Sequence, residues 1–155
     1  MCNILSGDEI TFSYTDHTMT RDDRQRHLFE GWGFQCSCDL CNASKETVEA
    51  SDNRRRLIMR LRANIADADN GGEHFRTIDM IQELLRTLDE EGITVLKPAY
   101  YRKLAGLHLR VNDVGNAKRY SSLALEEGLK ISDEDSFHIR GLKALQKELE
   151  NLQGS

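Results

Sequence analysis

From residue 44 onward the apolar residues of this chain recur at intervals of three and four, the spacing that gathers side chains on one face of a helix. That periodicity constrains the fold more than any other feature, because helical stripes separated by polar breaks are buried by packing helix against helix. One helix is predicted through "RRRLIMRLRANI", with Leu57, Ile58, Leu61 and Ile65 on its inner side, and the polar "ADADNGGE" breaks it. The next runs from about Glu73 to Glu91, buries Ile78, Ile81, Leu84, Leu85 and Leu88, and stops at Gly92. Pro98 suits the first turn of a third helix, where its missing N–H costs nothing, and that helix carries Tyr101, Leu104, Ala105 and Leu107 toward Val111. "NDVGN" turns the chain into a fourth helix with Ala117, Tyr120 and Ala124 inward. A last helix, capped by Ser132 with Asp135, buries Leu142, Leu145, Leu149 and Leu152. Such helices and connections predict antiparallel helical hairpins.

Residues 1–43 follow another pattern, which divides the chain into a short N-terminal unit and a helical domain over 44–155. After the turn "SGDE", the stretch "EITFSYT" alternates Ile10, Phe12 and Tyr14 on one face, as a half-buried strand does. "TRDDRQRHLFEG" reads as a helix opening at Thr20, with Asp23 as its reciprocal capping partner, and closing at Gly31. It delivers the chain into "GFQCSCDLCN".

That decapeptide puts Cys36, Cys38 and Cys41 within six residues. Thiols so close bridge one another poorly, because a disulfide demands a particular Cα separation and sulfur dihedral. Three thiolates converging on Zn²⁺ suit its preference for sulfur and tetrahedral coordination, and the alternative is a reduced cluster without metal. A tetrahedral site needs a fourth ligand; Cys2 is the remaining cysteine, and His17 and His27 are further candidates with no motif behind them.

Four cysteines, three of them in one cluster, are unlike a secreted disulfide framework and point to a reducing, intracellular compartment. There is no apolar run of membrane length and no secretory signal pattern. A net charge of -5 argues against nucleic acid or an anionic membrane as the main partner. The five arginines of "RRRLIMRLR" accordingly read as a solvated helix face.

"GDEITFSYTD", followed about twenty residues later by "WGFQCSCDLC", resembles the end of a SET domain and its post-SET zinc loop, as in SET-domain protein lysine methyltransferases of the SET and MYND class and related fungal proteins. The resemblance implies that Gly7, Glu9 and Tyr14 belong to the family's "GEE-I-x-x-x-Y" motif, with Tyr14 as the catalytic tyrosine that helps align the lysine amine. It implies that Phe12 limits how many methyl groups the lysine accepts, that Phe34 lines the lysine channel or cofactor pocket, and that Cys36, Cys38 and Cys41 are the three post-SET zinc ligands. Residues 101 to 124 are similar to a tetratricopeptide repeat at Tyr101, Leu104, Ala105, Ala117 and Ala124, and depart from it at His108 and Ser121. The expected fold is therefore mainly α: a short β-hairpin remnant of a SET domain, a post-SET cysteine loop, then tetratricopeptide-like helical hairpins.

Two family motifs are missing from the sequence: the glycine-rich stretch that binds S-adenosylmethionine, and the "N-H-S-C" motif whose cysteine is the fourth zinc ligand. Cys2 falls on the strand before the turn rather than at that position. The chain is thus expected to be the C-terminal portion of a lysine methyltransferase, inactive by itself, that acts on a lysine-containing protein or holds a peptide at its helical domain. A nuclear or cytoplasmic location and an incomplete zinc site go with that reading. The alternative is a non-catalytic helical binding module with a vestigial post-SET arm.

Overall fold

The computed structural model describes residues 15–151. Among these residues are six helices and no strand: α1 (Arg21–Trp32), α2 (Lys45–Asn70), α3 (His74–Glu90), α4 (Lys97–Arg110), α5 (Val114–Ile131) and α6 (Phe137–Asn151). The predicted strand over Ile10, Phe12 and Tyr14, its hairpin remnant, Cys2 and Leu152 lie outside the described residues.

Local chemistry sets the ends of the helices. Thr20 caps α1 by accepting from the Asp23 N–H at 3.4 Å while its hydroxyl donates to the Asp23 carboxylate at 2.6 Å. The helix runs past Gly31 and closes at Gly33, whose φ of 74° supplies the left-handed turn that ends it. Helix α2 begins well before the arginines, because Ser44 caps it through the Thr47 N–H at 3.3 Å, and it continues through "ADADN" to the glycine pair. Helices α2, α3 and α4 close alike. Gly72, Gly92 and Asn112 take positive φ, and the next residue's N–H returns to the carbonyl of Ala68, Leu88 or His108, so the buried carbonyls of the last turn find donors. Ser132 ends α5 rather than capping α6; the α6 cap is Ser136, which accepts from the Ile139 N–H at 3.2 Å.

Consecutive helices from α2 to α6 pack on one another. The main core joins Ile58, Leu61 and Ile65 of α2 to Ile78, Ile81, Leu84, Leu85 and Leu88 of α3 and to Leu104 and Leu107 of α4. Leu57 and Leu145 lie half-buried at the margin rather than inside. A second cluster links Ala124 to Ile139 and Leu142. There Gly128 lets α6 approach, since a Cβ at this position would lie 2.9 Å from Ile139 Cδ1.

The first half of α2 buries a polar face instead. Glu91, at the end of α3 with its side chain 3% exposed, accepts from Arg54 Nε and Arg55 Nε, each at 2.8 Å, and from Ser51 Oγ. The Arg55 guanidinium also donates to the carbonyls of His17 and Met19. One carboxylate thus anchors an arginine that ties the segment before α1 to the helical core.

Candidate metal centre

Helix α1 holds the cysteine loop through three polar residues, Arg21, Arg24 and Gln25, whose i, i+3, i+4 spacing puts them on one face. Gln25 accepts from the Cys36 N–H and donates to the Cys36 carbonyl, both at 2.8 Å. Arg21 Nε donates to the Cys41 carbonyl at 2.9 Å, and its backbone N–H donates to Asp52 on α2 at 2.7 Å. Arg24, itself buried, donates to the Met19 carbonyl at 2.6 Å and to Cys41 Sγ at 3.6 Å. Within the loop, Asn42 donates from its side chain to Ser37 and from its backbone to Cys38, turning the chain back so that the thiols converge.

The three sulfurs lie within 4.8 Å of one another, and all three cysteines are free. Zinc–thiolate bonds in a tetrahedral site place sulfurs about 3.8 Å apart, so small side-chain adjustments would close this set on an ion. The donor chemistry fits: three soft sulfurs from one short loop could hold a metal ion. Burial grades from exposed Cys38 through half-buried Cys36 to Cys41, which is 3% exposed. The Cys38 backbone amide favours the Cys36 thiolate, yet burial and the neighbouring thiols outweigh it and push that thiol up. Burial raises Cys38, but the Cys41 amide and the thiols of Cys36 and Cys41 prevail and hold it below its ordinary value.

No histidine joins the group among the described residues. His17 is exposed and lines, with Cys38, Arg24, Arg55 and Glu91, a cavity of about 370 Å³, and His27 packs edge-on against Trp32 at 5.5 Å. Phe34 precedes the loop with 42% of its surface exposed. Spacing in the sequence located the thiols but missed Arg21, Arg24 and Gln25. Their only signal was a helix with polar residues at the very positions where an inner stripe belongs.

No family model matches the chain. Among curated proteins, it is 57% identical over 38 residues to a SET and MYND domain-containing protein of Dictyostelium discoideum, covering 24% of this chain and 11% of that protein. It is 29% identical over 100 residues to a histone-lysine N-methyltransferase of Candida albicans, covering 64% of this chain and 18% of that enzyme. A histone-lysine N-methyltransferase of Schizosaccharomyces pombe is 33% identical over 57 residues, 36% of this chain and 18% of the relative. The chain spans less than a fifth of the length of each of these relatives. Over those parts it is similar to SET-domain histone-lysine methyltransferases and SET and MYND proteins, and its three-cysteine cluster fits a post-SET zinc loop.

Proposed function

We propose that this chain is the C-terminal portion of a SET-type protein-lysine N-methyltransferase, carrying the last SET residues, a post-SET zinc loop and a helical wall on the substrate side. The convergence of Cys36, Cys38 and Cys41 carries this reading, set beside the partial similarity to histone-lysine methyltransferases. In such a protein S-adenosylmethionine supplies the methyl group. From this chain the Tyr14 hydroxyl would align the lysine amine, Phe12 would limit room around it, and Phe34 would wall its channel. Zinc held by the three thiolates would fix the loop that presents Phe34. The partner is a lysine-containing protein, and the location is nuclear, cytoplasmic or both.

Both family cofactor motifs are absent, and the charged walls of the cavity beside the loop are already engaged: Arg24 and Arg55 with backbone carbonyls, Glu91 with arginines. Methyl transfer depends on holding amine and methyl donor in line at close range, which one tyrosine does not achieve. Isothermal titration calorimetry of this chain alone is expected to show no saturable S-adenosylmethionine binding at micromolar concentrations; micromolar binding would overturn the reading.

The helical domain over 44–155 is proposed to be tetratricopeptide-like and to bind peptide. Fully buried Ala105, Ala117 and Ala124 support this, since small side chains let paired helices approach closely. Residues 44–155 alone are expected to melt cooperatively by circular dichroism. A piece beginning at residue 73 is expected to melt broadly, because it lacks Ile58, Leu61 and Ile65, which cover the α3 stripe. Equal cooperativity of the two would contradict the proposed unit.

A further inference from the structure

We propose that Arg24 is a positioning residue of the metal centre, a buried guanidinium that donates to the sulfur of one ligand, Cys41, and offsets the negative charge of a thiolate-rich site. The inference rests on the reading of the three cysteines as metal ligands and goes beyond it in naming a residue from outside the loop. A cation buried to 8% exposure is uncommon unless paired, and among the described residues no carboxylate forms an ion pair with Arg24. Its hydrogen-bond partners among the described residues are a carbonyl, Met19 O at 2.6 Å, and a thiol sulfur, Cys41 Sγ at 3.6 Å. The carbonyl carries no charge to neutralise it. With Zn²⁺ bound, three thiolates and one dication leave a unit negative charge on the cluster, and the guanidinium beside Cys41 balances it. An N–H donated to a metal-bound sulfur also draws electron density from it, which tunes the metal–sulfur bond.

The position of the group supports this. Arg24 projects from the same α1 face as Gln25, which grips Cys36 at both backbone groups, and Arg21, which grips the Cys41 carbonyl. Those two contacts fix the loop backbone; Arg24 alone among them reaches a sulfur. Loop geometry and ligand electronics are thereby assigned to different residues, which makes them separable by substitution.

The test loads the full chain with Zn²⁺, and in parallel with Co²⁺, whose near-ultraviolet thiolate-to-metal band reports the electron density on sulfur. Arg24→Met keeps the length and apolar stem of the side chain and removes its charge and donors. Zinc affinity, measured by competition with a chromophoric chelator, is expected to fall by about 10–100-fold, the range typical of lost outer-shell partners. The cobalt band is expected to move to longer wavelength, because a thiolate without its donated hydrogen bond gives up electron density more easily. Arg24→Lys, which keeps a charge and a donor, is expected to fall between wild type and Arg24→Met in both readouts. Gln25→Ala serves as the comparison: it is expected to weaken affinity by loosening the loop while leaving the band in place. An Arg24→Met protein whose affinity falls but whose band does not move would show a structural role only and overturn the proposal, as would unchanged affinity. A wild-type chain that takes up neither metal overturns the metal reading itself and this inference with it, whereas wild-type uptake with an indifferent Arg24 overturns this inference alone.

Discussion

Glu91→Ala is expected to lower the stability of the chain by about 3 kcal/mol or more, the cost of breaking a buried ion pair by removing one partner. The side chain is 3% exposed and is held by two guanidiniums and a hydroxyl, so its removal strands Arg55, itself 9% exposed at the side chain, without a counter-charge. Solvation does little to rescue a cation in that position. The consequence reaches beyond stability, because the same Arg55 guanidinium holds the carbonyls of His17 and Met19, and Met19 also receives Arg24. Loosening Arg55 therefore loosens the segment between residue 15 and α1. Urea unfolding would measure the loss, with Glu134→Ala as the control. Glu134 pairs with Lys143 at 2.9 Å while 72% exposed, and removing it is expected to leave stability nearly unchanged. Amide hydrogen exchange over residues 17–20 should rise in Glu91→Ala and not in the control. Equal small losses in the two proteins would mean that the Glu91 network is as solvated as a surface pair.

The contrast between these carboxylates shows what the sequence made legible. Apolar periodicity located α3 nearly to the residue, since Ile78, Ile81, Leu84, Leu85 and Leu88 are a complete inner stripe and all five are buried. Pro98 and Gly92 marked boundaries because each has a backbone constraint that few other residues share. The first half of α2 left no such trace, for its inner face is Ser51, Asp52 and Arg55, and a reading based on apolar spacing sees only an exposed basic helix. Part of the "RRRLIMRLR" segment is indeed exposed, but Arg55 is buried and Arg54 is bonded to Glu91. A buried polar face is specified by pairing across 31 residues or more, which no local pattern encodes. The misplaced caps have a simpler origin. Gly31 and Gly33, and likewise Ser132 and Ser136, are alternatives of equal local merit, and tertiary packing of Ile139 against Gly128 and Ala124 decides the second. At the candidate metal centre the cluster of thiols was legible because the three cysteines are close in sequence. Their support from α1 was not, because Arg and Gln on a helix surface ordinarily face water.

Cys38→Ser is expected to release the metal, and Cys2→Ser to be silent. A complete structural zinc site contributes roughly 10–16 kcal/mol, so each of four ligands carries about 3 kcal/mol, on the order of 100-fold in affinity. A site with three thiolates begins without one share. Its fourth position must be filled by water or a passing ligand, and zinc held by this chain alone is expected to exchange readily with a mild chelator. Removing Cys38 takes a second share. The sequence assigns Cys2 to the strand before the turn, displaced from the position where the SET family's fourth ligand stands, so its loss should leave zinc content unchanged. Atomic absorption after dialysis against the chelator would measure wild type, Cys38→Ser and Cys2→Ser side by side. Stoichiometric zinc that survives dialysis in wild type and disappears in Cys2→Ser would mean that Cys2 reaches the loop and completes a four-thiolate site. With that extra thiolate the cluster would carry two negative charges beside Arg24 rather than one, and the demand on that guanidinium would grow rather than vanish.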